Sequence, residues 1–355
     1  MKSQNIKYIE RLDHLRFFAA FLVLMFHGRI FYSAKQIFRI PIIDQGDIGV
    51  TLFMVLSGMI LTLIAYDSAI SLGKFYSNRA LRIYPLFVFV ITLGYFSMPD
   101  PRETSVGVDY LLSLLPISNL YRMKYGPFGG QLWSVAVEIQ FYLLFPILAL
   151  KARGLRFYVS LIALLIILRT LIYTLNGTVH QMAYFSIFGN LDAFLIGGIT
   201  AIAYKETEGY TFRWYWCIAV LVAINVFLVV LYRLIGFPST SPFWTIWPDV
   251  QSLLWSALIL SYLRANMRVP LSKLWSYLGK ISYSIYAWHI LVWMTVAHLM
   301  PVPWGSTYLT GLLLVLPATI AIAALSYSVI EAPFLMMRAR YVIASSGSAA
   351  PVGRP

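Results

Sequence analysis

The stretch LRFFAAFLVLMFHGRIFY, residues 15–32, decides how the rest of the chain is read. It is close to the roughly 20 residues of helix that cross a bilayer core about 30 Å thick. Yet it carries Arg16 at one end and His27 deep inside. An eleven-residue step is about 1100° of helical turn, roughly 20° past three full turns, so both side chains share one helix face about 16 Å apart along the axis. Asp13 precedes Arg16 by three residues and falls near the same face.

The same apolar texture recurs outward from this stretch. Of 355 residues 60% are hydrophobic and 12% charged, with mean hydropathy +0.75, the composition of a multi-pass membrane protein. Runs of spanning length cover approximately 15–33, 47–66, 83–98, 132–150, 155–175, 183–204, 214–235, 243–263, 278–298 and 307–330. They predict an all-α polytopic bundle of about ten transmembrane helices. A shorter piece, VDYLLSLLPISNLY at 108–121, reads as interfacial or re-entrant. One transmembrane domain is expected over 1–340, with a small, polar, disordered tail over 341–355. No connection is long enough to fold as an independent soluble domain. The first run is followed by polar GRIFYSAKQ rather than a small-residue cleavage site, so it is expected to stay as an anchor.

The net charge of +13 reflects membrane orientation rather than nucleic-acid binding. Basic residues crowd alternate connections: Lys2, Lys7, Arg11 and Arg16; Lys74, Arg79 and Arg82; Lys151, Arg153 and Arg156; Lys205 and Arg213; Arg264, Arg268, Lys273 and Lys280; Arg338, Arg340 and Arg354. The other connections are poorer in Lys and Arg, which predicts that both termini are cytoplasmic; the expected location is the cell (inner) membrane.

Ionisable groups inside spans are costly and mark functional candidates, here His27, Glu138, Arg169, Asp192, Asp249 and His289. His27 and Glu138 each lie about six residues from the outer end of their runs, roughly 9 Å deep, so they are expected to meet. His289, ten residues into its run, is expected to border the same cavity. Arg79 and Arg82 are three apart with Lys74 close by, an arrangement that suits a phosphate clamp as well as ordinary anchoring at the membrane edge. No G-x-S-x-G elbow, phosphate-binding P-loop, H-E-x-x-H or paired-cysteine pattern occurs, and the five histidines show no i, i+4 pairing, so no metal site is expected. The single Cys217 lies in an apolar run and reads as packing.

With those residues in place the sequence resembles the acyltransferase 3 family of multi-pass membrane acyltransferases. RLDHLRFFAAFLVLMFHG is similar to the family's first-helix signature, an arginine, ten residues and a histidine. GDIGVTLFMVLSGMIL, FYSNRALRIYPLF, QLWSVAVEIQFYLLFP, FGNLDAFLIGGITA, LGKISYSIYAWHILV and LSYSVIEAPF resemble further landmarks in the same order, over residues 10–335. Met54 and Ile139 depart from the family pattern; Ile139 leaves Glu138 without the commoner second acidic neighbour.

The resemblance implies transfer of an acyl group, most often acetyl, from acyl-CoA to a hydroxyl of a carbohydrate or glycan. No permanently bound cofactor is implied. It implies His27, Glu138 and Asp13 as catalytic candidates, with Arg16, Arg79, Arg82 and Lys74 on the donor. Trp133, Ser134, Asp192, Tyr283 and His289 are expected around the acceptor or the cavity. His27 could act as a general base or accept the acyl group as a nucleophile, and the sequence leaves both open. It also leaves open the oligomeric state, homodimer included. The competing reading is a glycan or lipid transporter with an intramembrane charge relay, although no inverted repeat is visible.

Overall fold

The computed structural model describes residues 8–32, 39–66, 68–97, 106–121, 125–151, 154–236 and 240–343. Ten long helical segments carry the fold: α1 (Glu10–Phe31), α2 (Ile48–Ala65), α3 (Leu72–Ser97), α4 (Trp133–Ala149), α5 (Leu155–Asn176), α6 (Ile187–Glu206), α7 (Tyr215–Leu234), α8 (Trp247–Arg264), α9 (Ser282–Leu299) and α10 (Thr307–Met336). Among the described residues eight of these are long and apolar enough to cross a membrane. The other two, α8 and α9, are of similar length but interrupted by polar residues such as Asp249, Gln251, Ser282, Ser284 and His289. Those residues are buried among neighbouring helices, which is why a polar content that lowers hydropathy does not prevent packing.

Among the described residues four two-residue strands tie connections together. β1 (Ala69–Ile70) pairs antiparallel with β4 (Val342–Ile343), and β2 (Phe212–Arg213) pairs parallel with β3 (Ala265–Asn266). All four lie in the Lys- and Arg-rich connections, so the charge bias and the chain path assign the same ends of the bundle to one face. Arg11 reinforces that face, donating to the carbonyls of Tyr262 (2.7 Å), Ala265 (2.8 Å) and Met267 (2.8 Å).

Three boundaries differ from the sequence expectation. α3 begins at Leu72 rather than near 83, because its polar first turns still bury one face through Phe75 and Asn78, and Asn78 exchanges hydrogen bonds with the Ala339 backbone. The break expected at 340/341 is displaced, since Tyr341 is 1% exposed and Val342–Ile343 form β4; residues 344–355 of the expected tail lie outside the described residues. The 108–121 piece forms two short helices, Val106–Ser113 and Ser118–Tyr121, the first packed on α3 and the second on α4.

The centre of the bundle is closed by glycine contacts between α2 and α6. A Cβ on Gly58 would lie 2.0 Å from the Phe194 carbonyl oxygen, and one on Gly197 would lie 2.2 Å from that of Val55. Small residues let the two backbones touch, the usual device where lipid offers no hydrophobic drive between helices. Gly58→Ala is therefore expected to cost about 1–3 kcal/mol. A lower unfolding midpoint in detergent would bear this out, and an unchanged midpoint would contradict it.

Candidate active site

A cavity of about 240 Å³ opens between α1, α2, α3, α4, α9 and α10. Its basic end is lined by Arg16, Arg79, Arg82, Lys280 and Arg338. Arg16 leaves α1 toward the cavity and is held by Asp13, whose Oδ1 is 2.9 Å from its Nη1 while Tyr8 donates to Oδ2 at 2.6 Å. Arg79 is wedged among the rings of Phe75, Tyr142 and Tyr341, with its guanidinium carbon 5.4–5.7 Å from the three centroids. Arg82 faces Glu331 at 3.9 Å. Arg338 donates to the Leu335 carbonyl at 3.3 Å and has no carboxylate partner among the described residues. Burial first, then the like charges of Arg82 and Arg79, pull its guanidinium down to about 10. Crowded cations of this kind are relieved by an anion.

Beyond the cations the wall becomes uncharged apart from Glu138. That carboxylate accepts from Ser57 (2.8 Å) and Tyr142 (2.5 Å) through Oε1. Further in, Ser134 and the Tyr286 hydroxyl are 2.6 Å apart, and Tyr286 also donates to the Gln131 carbonyl at 2.6 Å. Phe53 meets the Tyr286 ring edge-on at 6.1 Å and helps close this end. One layer past Tyr286 stand two imidazoles: His289, fully buried, packs its ring 5.6 Å from that of Tyr286 and 4.8 Å from that of His27. His289 Nε2 is 3.2 Å from His27 Nδ1, and His27 Nδ1 is also 2.8 Å from the Val23 carbonyl.

The cavity thus gathers Asp13, Arg16, Arg79, Arg82, Ser134, Glu138 and Tyr283 from the sequence expectation. Five expectations need correction. Glu138 does not meet His27. Ser134 and Gln131 are level with Tyr286, so Glu138 lies about 6 Å to one side of that level and His289 about 4.5 Å to the other. Equal depth failed because α4 does not begin at the outer boundary; the buried segment around Tyr125 and Phe128 precedes it. His289, expected at the cavity, is the partner of His27 instead. Asp13 is about 21 Å along α1 from His27 and orients Arg16 rather than joining the imidazoles. Lys74 is exposed and does not line the cavity. Asp192 belongs to a sealed ion triad, with Arg169 Nη1 2.6 Å from Asp192 and Nη2 2.5 Å from Asp249. Arg169, a functional candidate from the sequence as an ionisable group inside a span, is wholly buried there.

Trp133 lines a smaller pocket at the opposite ends of the helices, together with Asp47, Tyr184, Trp244, Trp247 and Gln251. Sequence reasoning missed Arg338, Lys280, Ser57, Tyr142 and Tyr286 as cavity residues. Arg338 counted only toward the charge bias because its approach depends on α10 folding back to pair β4 with β1. Tyr286 sat inside the ISYSIYAWHILV landmark, three residues before His289, and its place on the same helix face was legible.

A family model described as an acyltransferase domain, Acyl_transf_3, matches residues 9–329. A Staphylococcus aureus (strain COL) protein named "Putative O-acetyltransferase SACOL0978" is 26% identical over 94% of this chain and 58% of its own length. "Putative acetyltransferase ORF330" of Acidianus two-tailed virus is 28% identical over 82% of this chain and 87% of its own. "Putative peptidoglycan O-acetyltransferase YrhL" of Bacillus subtilis (strain 168) is 31% identical over 41% of this chain and 24% of its own. The chain spans only about 58% of the length of the Staphylococcus aureus relatives. No solved structure matches.

Proposed function

Because the chain belongs to the acyltransferase 3 family, we propose that it transfers an acetyl group from acetyl-CoA, bound from the cytoplasmic face of the cell membrane, to a glycan hydroxyl presented from the other face. One observation carries the reading. A cavity with five cations at its basic end runs inward to Tyr286, one ring away from the His289–His27 pair. Guanidinium and ammonium groups suit the phosphates of coenzyme A. The wall of Ser57, Glu138 and Ser134 offers hydrogen bonds to the amides of its pantetheine arm. Arg16 and His27, about 16 Å apart along α1, match a long, thin donor whose charge and thioester lie at opposite ends.

The chemistry falls to His27. Its Nδ1 is engaged, and no described residue holds Nε2. As the acceptor oxygen attacks the thioester carbonyl, Nε2 takes the hydroxyl proton; the C–S bond breaks, and Nε2 returns the proton to the departing sulfur. The product is an O-acetyl ester and free coenzyme A. The glycan assignment draws on the peptidoglycan named for the Bacillus subtilis relative.

The test is acetyl transfer by purified protein from labelled acetyl-CoA to peptidoglycan fragments, polysaccharides and lipooligosaccharides. Label in at least one of these is expected; turnover of acetyl-CoA without label in any of them would overturn the glycan assignment. Arg338→Ala is expected to raise the KM for acetyl-CoA about 10-fold or more with kcat little changed, as for loss of a charge-assisted contact. An unchanged KM would remove Arg338 from the donor site.

A further inference from the structure

Backbone carbonyls fix where the protons of the two imidazoles sit. A carbonyl can only accept, so His27 Nδ1, 2.8 Å from the Val23 oxygen, carries hydrogen, and so does His289 Nδ1, 2.6 Å from the Tyr286 oxygen. In the neutral rings both Nε2 atoms then hold lone pairs. That of His27 is free of described partners, whereas that of His289 lies 3.2 Å from His27 Nδ1. The His27 Nδ1 proton is shared between a carbonyl on its own helix and an imidazole acceptor on α9. An acceptor at the back of a basic imidazole is the arrangement in which a carboxylate orients the histidine of a hydrolase triad.

We propose that His289 is the positioning residue of His27, supplying a rear hydrogen-bond acceptor at the place where Glu138 was expected to meet the imidazole. The inference rests on the reading of His27 as the general base. His289 fixes the ring so that Nε2 faces the reacting groups. When Nε2 takes the acceptor's hydroxyl proton, His27 becomes an imidazolium and its Nδ1–H bond to His289 becomes charge-assisted, hence stronger in the transition state than before it. When Nε2 hands that proton to the coenzyme A sulfur, His27 is neutral again and His289 has gained and lost nothing.

A neutral acceptor also suits the location. His289 is fully buried between Tyr286 and Trp293 on its own helix and α1 opposite, and Trp293 donates to the Leu24 carbonyl at 2.8 Å. A carboxylate sealed in that layer would be an unpaired charge while His27 is neutral. An imidazole held by the Tyr286 carbonyl provides the lone pair without the charge.

Two variants at position 289 separate this role from packing. His289→Asn keeps an amide N–H where Nδ1 donated to the Tyr286 carbonyl but has nothing at the Nε2 position. His289→Gln reaches that position with an oxygen acceptor. In acetyl transfer from labelled acetyl-CoA, His289→Asn is expected to lower kcat about 10- to 100-fold with the KM for acetyl-CoA within about 2-fold. His289→Gln is expected to recover to within about 5-fold of wild type. Asn at wild-type kcat, or Gln no better than Asn when both retain the donor KM, would overturn the proposal. If Asn cannot be purified folded, Gln decides alone: kcat within about 5-fold of wild type supports the rear acceptor, and a larger loss at unchanged KM overturns it. His27→Gln is assayed alongside. If it transfers as fast as wild type, the reading of His27 itself fails; if it is inactive while His289→Asn is fully active, only the role of His289 fails.

Discussion

Replacing Arg169 with leucine is expected to destabilise the bundle by about 3–5 kcal/mol, the usual cost of removing one partner from a buried ion pair. Three helices depend on this guanidinium. From α5, Nη1 lies 2.6 Å from Asp192 on α6, Nη2 lies 2.5 Å from Asp249 on α8, and Nε donates to the Thr245 carbonyl at 2.7 Å. Arg169 and Asp192 are both 0% exposed, so leucine would leave two carboxylates facing each other with neither cation nor water. Thermal unfolding in detergent checks this, and an unfolding midpoint like that of wild type would contradict it. Adding Asp192→Asn and Asp249→Asn to Arg169→Leu removes every charge together and should restore much of the loss. That triple variant is also expected to keep the wild-type KM for donor and acceptor, because the triad lines neither the cavity nor the imidazole pair. A selective rise in acceptor KM would return Asp192 to the acceptor site.

The second large effect is on turnover. His27→Gln retains a polar side chain of similar reach but no base, and kcat for acetyl transfer should fall about 10²- to 10⁴-fold. The KM for acetyl-CoA should hold steady, since the cations proposed to engage its phosphates lie at the far end of the cavity, about 16 Å along α1 for Arg16. Steady-state kinetics with labelled donor separates the two constants. Loss of donor affinity with kcat preserved would make His27 a binding residue and not the base.

Periodicity made α1 legible. The eleven-residue step from Arg16 to His27 needs only a regular helix, and the structure keeps one from Glu10 to Phe31. The partner of His27 was not legible in the same way. Hydropathy assigns each run a start at one common boundary, but α4 starts deeper, behind a buried segment, so a depth comparison chose Glu138 over His289. The two imidazoles meet because α9 packs on α1, a relation between helices distant in sequence that no spacing encodes. Asp192 illustrates a further limit. Composition marks a carboxylate inside the membrane as costly, but only packing reveals whether its cation is a ligand or, as here, Arg169. Arg338 carries the converse lesson: a residue expected to do no more than anchor the end of α10 enters the cavity because a two-residue strand pair folds the chain back over it.

Transfer across the membrane through His27 is tested most directly in proteoliposomes of uniform orientation. Labelled acetyl-CoA is supplied only on the face bearing Arg16, Arg82 and Arg338, and the glycan acceptor only on the other. Wild-type protein should acetylate the glycan, and His27→Gln should do so at no more than about one hundredth of the rate. Acetylation that requires donor and acceptor on the same side, or proceeds equally well without His27, would contradict the mechanism.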